Sequence, residues 1–232
     1  RISLRAGAGE ELLLVLESSD PQPVEFSVEE LPVSAVHLGP GGVLVLAGSD
    51  SLVMEVLERP FRVSAGSFFQ VNTAQAEAMV RQVLELIGSQ PLQTVLDVYC
   101  GVGLFSAFLA PRARRLVGIE LSPPACEDFA TNLDEFDHVE LYEAEAETVL
   151  ETVDFKPDLI LVDPPRAGLG QAALDGLLAQ NAPRLIYISC DPATLGRDAR
   201  RLMAAGYHLV QVTPFDLFPQ TYHIESISVW ER

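Results

Sequence analysis

Cys190 ends a short apolar run, Leu185-Ile186-Tyr187-Ile188-Ser189, and is followed at once by Asp191-Pro192-Ala193-Thr194-Leu195, which reads as a helix start. Asp191 suits the N-cap, and Pro192 suits the first helical position, where a missing N–H costs nothing. A thiol on that corner faces the positive end of a helix dipole, which favours a thiolate, whereas a free Asp191 carboxylate opposes it. Taken alone, Cys190 reads first as a small buried hydrophobe at a strand end. Glu225 changes that reading: it lies in Phe218-Pro219-Gln220-Thr221-Tyr222-His223-Ile224-Glu225-Ser226, just before the last apolar run. A thiolate adding to an electrophilic carbon makes the neighbouring carbon nucleophilic, and a carboxylate that later removes a proton lets the thiol leave. C5 of a pyrimidine is a carbon that needs this help, being nucleophilic only after addition at C6.

A second group of residues has the types for holding a ligand. Val95-Leu96-Asp97-Val98-Tyr99-Cys100-Gly101-Val102-Gly103 reads as strand, glycine turn, then helix. Gly101 and Gly103 let the backbone approach a ligand at the carboxyl end of a strand. Glu120, ending Val117-Gly118-Ile119-Glu120 roughly 20 residues on, is placed to accept both hydroxyls of a ribose. The third glycine of a dinucleotide fingerprint is missing. Asp97 suits a cationic amino-acid moiety better than a phosphate, which favours S-adenosylmethionine over NAD. Glu145 reads both as a contact to an adenine edge and as one more charge on an acidic helix start. Asp163 ends Leu159-Ile160-Leu161-Val162-Asp163-Pro164-Pro165-Arg166, a rigid turn after another apolar strand. In adenosylmethionine enzymes acting on amino groups a similar motif ends in an aromatic; Arg166 stands there instead, against amino methylation.

Positioning these groups requires an open α/β sheet. From Val95 onward apolar runs alternate with helical patterns, with strands expected near 94–99, 116–121, 139–142, 158–163, 184–190, 207–213 and 226–231. Helices fit near 103–110, 122–133, 144–152, 170–180 and 192–205. The fold class is α/β: a doubly wound, Rossmann-like sheet, mostly parallel, with the last two strands antiparallel at its edge. Ligands of such sheets sit at the carboxyl ends of the strands, which gathers the glycine turn, Asp163 and Cys190 around one crevice. Glu225 joins them if the loop before the last strand folds over the same edge. Ala76, Met79, Val80, Val83, Leu84 and Ile87 mark one helical face, with Asn72 and Gln75 resembling a capping box and Gly88 a stop. Residues 1–60 read as a small, mainly β subdomain and 61–232 as the catalytic domain. In the first part Leu12–Leu16 is a strand before an Asp20-Pro21 turn, a helix is expected around Ser27–Leu31, and Gly39-Pro40-Gly41-Gly42 is a four-residue hairpin loop. His37 reads as structural.

With 15 Lys and Arg against 33 Asp and Glu, the net charge of −18 repels polyanions at long range, so unaided tight binding to nucleic acid is disfavoured. A small substrate, a locally basic cleft or an absent basic domain each fits that balance. The three cysteines are widely spaced, against a disulfide framework or a cysteine-rich metal site, and a reducing cytoplasm is expected. No apolar run reaches the ~18–20 residues that span a bilayer, and no membrane association is expected. A monomer is expected. The chain begins at Arg1 rather than Met, and a partial or trimmed chain is expected.

Five motifs in order resemble the S-adenosylmethionine-dependent RNA 5-methyluridine methyltransferases that act on tRNA and large-subunit rRNA. They are Phe68-Phe69-Gln70-Val71-Asn72, Asp97 to Gly103, Asp163 to Arg166, Ser189 to Leu195, and His223-Ile224-Glu225-Ser226. The likeness is strong over 60–232 and weak before it. It implies a class I methyltransferase sheet in which Gln70, Tyr99, Glu120 and Asp163 contact S-adenosylmethionine. It further implies that Cys190 is the nucleophile on uracil C6 and Glu225 the base taking the C5 proton. RNA 5-methylcytosine enzymes look alike but carry a cysteine in the motif after the fourth strand, where this chain has none. Leu104 departs from a polar residue common after the second glycine. Members usually carry an N-terminal nucleic-acid-binding barrel, and some an iron–sulfur cluster on four cysteines; the sequence reads as a catalytic core without either. Arg166, Arg197, Arg200 and Arg201 are candidates for a basic lip toward an rRNA or tRNA substrate, whose uridine would have to be flipped out. Methylation of a small molecule, or a non-catalytic module that binds the cofactor or RNA, remain the alternatives.

Overall fold

The computed structural model describes residues 1–20 and 32–232; the helix expected around Ser27–Leu31, and Pro21 of the expected turn, lie outside them. The first four strands, β1 (Ile2–Ala6), β2 (Leu12–Glu17), β3 (Ser34–Gly39) and β4 (Gly42–Ala47), form a four-stranded sheet in that order. Gly39 pairs with Gly42, so the β3–β4 connection is a two-residue turn at Pro40-Gly41, not the expected four-residue loop. Gly42 (φ 100°), which follows the turn and opens β4, takes a positive φ that favours glycine there.

A hairpin of β5 (Ser51–Val56) and β6 (Arg59–Ser64) follows. Its turn residues Leu57 (φ 53°) and Glu58 (φ 62°) both adopt positive φ, a geometry usually given to Asn-Gly. The division expected at residues 60 and 61 falls inside β6, because the hairpin packs on the helices of the larger sheet.

That sheet has seven strands: β7 (Leu92–Val98), β8 (Ala113–Glu120), β9 (Val139–Glu143), β10 (Leu159–Val162), β11 (Arg184–Ser189), β12 (His208–Phe215) and β13 (Glu225–Glu231). Their order is β12-β13-β11-β10-β7-β8-β9; β13 alone runs against its neighbours, inserted between β11 and the edge strand β12. The helices are α1 (Thr73–Ile87), α2 (Leu104–Leu109), α3 (Pro123–Asn132), α4 (Ala146–Leu150), α5 (Gln171–Gln180) and α6 (Pro192–Ala204).

Strand alternation sorts the core into two layers. Val95, Leu116, Leu161, Ile186, Ile188 and Val229 face the side covered by α1, α2 and α3. Leu96, Val117, Ile160, Val162, Tyr187 and Trp230 face the side covered by α4, α5 and α6. The same alternation turns Asp97 toward α2. Among the described residues no helix is long and apolar enough to cross a membrane, and no cluster of His, Cys, Asp and Glu could hold a metal ion.

Candidate active site

The carboxyl ends of β7, β8, β10 and β11 open on one edge of the sheet. Because β13 is antiparallel, its first residue opens there too. Ser189 pairs with Ser226, so the next residue outward on each strand, Cys190 and Glu225, lies at the same end. Asp163 follows β10 on the other side of β11. Cys190 is partly exposed at this rim, not sealed in the core.

Asp191 caps α6 as its sequence implies, accepting from the Ala193 N–H at 2.8 Å and the Thr194 N–H at 3.1 Å. Those two bonds hold the Asp191 carboxyl below its usual range and occupy free N–H groups of the helix start. The Cys190 thiol is pushed up, first by burial and then by the charges of Glu225 and Asp163; Arg166 pulls the other way. Burial raises Glu225. Burial raises Asp163 too, and Glu225 and Asp97 add to it. Three carboxyl groups thus share one crevice with the single Arg166 guanidinium, an excess of acid that favours a cationic ligand.

The glycine turn forms the other wall. Tyr99 (φ 62°), Gly101 (φ 55°) and Gly103 (φ 89°) all take left-handed backbone, which folds the chain sharply from β7 into α2. A Cβ on Gly101 would meet nothing within 4 Å, leaving open space over the backbone there. One on Gly103 would lie 2.4 Å from Leu133 Cδ1, so that glycine serves the packing of α3. Glu120 is set by backbone: Oε2 accepts from Gly101 N–H at 3.0 Å, and Oε1 from Leu121 and Ser122 N–H at 2.9 and 2.8 Å. Oε1 is thereby saturated, while Oε2 keeps one lone pair for a further donor.

Asp97 is only 1% exposed and lies beneath this wall. Ser106 Oγ donates to its Oδ2 at 2.6 Å, while Oδ1 is buried with no partner among the described residues. Burial is the main force raising the carboxyl to about 7, with Glu120 adding to it and Ser106 opposing. Tyr99 is partly buried and its hydroxyl is raised by burial and by Glu147 and Glu120. Glu145 is exposed at the start of α4, and its side chain makes no cap bond there. Leu104 is buried.

Gln70 is buried on a segment fixed from two sides. Asp128 of α3, fully buried, accepts from Ser64 N–H and Oγ at 2.7 Å, from Ser67 Oγ at 2.5 Å, and from Arg62. Arg5 of β1 donates to the carbonyls of Ser64, Ala65 and Ser67 at 2.9 to 3.0 Å. Asn72 caps α1 through Gln75 N–H and donates to Leu217 O at 3.3 Å, tying this segment to the loop before β13. Asp128 was not expected, although its position on one face with Ala125, Phe129 and Asn132 is a signal: an acid on an apolar stripe needs buried partners. Ser106 and His223 were also unexpected.

The expected basic lip is smaller than its four arginines. Arg197 is spent on Asp198 and on the carbonyls of Ala167 and Leu169, and Arg201 pairs with Asp175. Arg166 and Arg200 remain exposed, and Arg166 lies in the turn after β10, at the rim. Arg166 Nη2 lies 3.1 Å from His223 Nδ1, linking the turn after β10 to the loop before β13.

The family model described as tRNA (Uracil-5-)-methyltransferase matches residues 49–232. An uncharacterized RNA methyltransferase of Halalkalibacterium halodurans is 40% identical over 192 residues, covering 81% of this chain and 42% of the relative. One of Lactococcus lactis is 34% identical over 240 residues, covering 95% of this chain and 52% of the relative. The chain thus spans about half the length of the curated relatives it matches. Among solved structures, the Pyrococcus abyssi tRNA (uracil-54, C5)-methyltransferase in complex with S-adenosyl-L-homocysteine superposes with a TM-score of 0.78 and 26% identity. That match covers 99% of this chain and 59% of the other. The chain belongs to the tRNA (uracil-5-)-methyltransferase family.

Proposed function

We propose that this chain is the catalytic part of an RNA methyltransferase that moves a methyl group from S-adenosylmethionine to C5 of a uridine in tRNA or rRNA. The observation that carries the reading is the placement of Cys190 and Glu225 next beyond the Ser189–Ser226 pair, on adjacent strands, with Asp163 across the same strand end. S-adenosylmethionine fits the opposite wall. Gly101 leaves open space, Glu120 Oε2 keeps a lone pair for a ribose hydroxyl, and Oδ1 of Asp97, partnerless among the described residues, is an acceptor for a cationic amino group. In this reading Tyr99 and Gln70 serve the cofactor too, with Glu145 at the outer edge and Asp163 facing it from the end of β10.

In this reading the Cys190 thiolate adds to uracil C6; its electron pair forms the S–C6 bond and the C5=C6 π electrons move onto C5 and O4. When bound, S-adenosylmethionine would supply an electrophilic sulfonium methyl group to that C5 pair, the C–S bonding pair staying with the sulfur as the neutral thioether. Glu225 then accepts the C5 proton, the C–H electrons restore C5=C6, and the S–C6 pair leaves with Cys190 as thiolate. Burial raises Glu225, which makes its carboxylate a stronger base toward that proton. The absence of a cysteine in Asp163-Pro164-Pro165-Arg166 supports uracil over cytosine. The net charge of −18 supports a need for further basic surface to grip RNA, since Arg197 and Arg201 are internally paired.

The test is transfer from labelled S-adenosylmethionine to tRNA and rRNA transcripts, followed by nucleoside mass spectrometry. The reading predicts 5-methyluridine. Product found solely as 5-methylcytidine or an N-methylated base, or label moving to small molecules but never to RNA, would overturn it.

A further inference from the structure

In the sheet, β11 lies between β10 and β13. A bond from Arg166, after β10, to His223, before β13, therefore passes over the end of β11, where Cys190 sits. His223 is held by its neighbours: its ring lies 4.2 Å from the Tyr222 ring at an interplanar angle of 38°, and 6.1 Å from Phe218, edge-on. Arg166 is exposed and makes no ion pair among the described residues, so this imidazole contact is what fixes a long flexible side chain over the crevice.

The geometry points to His223 as a positioning residue whose Nδ1 holds the Arg166 guanidinium across the end of β11, over the Cys190 thiol. The inference rests on the reading of Cys190 as nucleophile and deepens it. The groups facing Cys190 are Glu225 from β13 and Asp163 and Arg166 from the turn after β10. Those facing His223 are Arg166, Tyr222 and Phe218, with Asp191 at the start of α6 facing both Arg166 and His223. Two carboxylates oppose a thiolate here, and Arg166 is the side chain among these that favours it. An unanchored arginine loses that effect to solvent and to alternative rotamers. Nδ1 must accept for the bond to form, so His223 acts in its neutral form with the proton on Nε2.

The experiment reads the thiol directly. The full chain is treated with iodoacetamide between about pH 6 and 10, and alkylation of the Cys190 peptide is followed by mass spectrometry, with folding checked by circular dichroism. The inference predicts that His223→Ala moves the alkylation profile to higher pH and slows Cys190 alkylation about three- to ten-fold near pH 7.5. Arg166→Gln shifts it as far, the double variant no further, and His223→Gln, which keeps an acceptor, recovers most of the loss. An unchanged profile in His223→Ala overturns the inference. So does faster alkylation at every pH, which would make the bridge a cover over the thiol. Neither RNA nor S-adenosylmethionine enters this assay, so a positive result with no transfer to uridine leaves the positioning role standing while the proposed function falls.

Discussion

The two walls of the crevice are built differently. On the β7–β8 side the backbone does the positioning: three left-handed residues fold the turn, and Glu120 is held by the N–H groups of the next two residues and of Gly101 on the adjacent strand end. On the β10–β11–β13 side the groups are side chains brought together from positions 163, 190 and 225, and their alignment rests on the β11–β13 register. A one-residue slip there would turn Glu225 to the opposite face. The first wall can be recognised locally and tolerates change elsewhere, whereas the second exists only when the whole sheet is assembled.

The largest effects should come from the assembled wall. Cys190→Ala should lower methyl transfer by more than about 10⁴-fold without loss of cofactor binding, as measured by single-turnover assay and calorimetry. Retained turnover would remove the covalent route. Glu225→Gln should still add to the base but release product about 10²- to 10⁴-fold more slowly, so a protein–RNA adduct accumulates on normal RNA. Wild-type turnover in this variant would remove Glu225 from the proton step.

Support for the segment carrying Gln70 comes next. Asp128→Ala leaves Arg62 and two serine hydroxyls without their buried acceptor and should cost about 3–5 kcal/mol in urea unfolding. A loss below about 1 kcal/mol would show that the segment is fixed by other contacts.

The backbone-built wall should yield the smallest effect, and it should depend on pH. Asp97 is raised to about 7 in the folded chain from an ordinary value near 4, so between these the folded state holds a proton that the unfolded state has released. The folded state binds more protons, and stability falls as pH rises through that window. Asp97→Asn removes the titration. Its stability relative to the parent chain should therefore improve by a few kcal/mol from about pH 4 to pH 8, in denaturant curves taken at each pH. A difference constant over that range would contradict the buried, protonated Asp97.

What could be read in advance follows the same division. The strand–turn–helix at Asp97 to Gly103 and the cap at Asp191 are local, and the structure places both where the sequence did. The hairpin of β5 and β6 was not legible, because Leu57 and Glu58 form its positive-φ turn without a glycine or asparagine. Arg197 and Arg201 resembled a basic lip because helical spacing exposes them, while the carbonyls of Ala167 and Leu169 and the Asp175 carboxylate that engage them lie 26 to 30 residues away. The Arg166–His223 bond spans 57 residues and needs the β13 insertion to form.

The central claim is that one sulfur and one carboxylate act on the same pyrimidine ring. RNA carrying 5-fluorouridine tests it most directly, because fluorine at C5 cannot be removed as a proton. In the presence of S-adenosylmethionine the chain should form a denaturation-resistant protein–RNA complex whose attachment maps to Cys190, and Cys190→Ala should form none. Methylation of normal RNA with no such complex on the fluorinated RNA, or a complex that maps to another residue, would contradict the account.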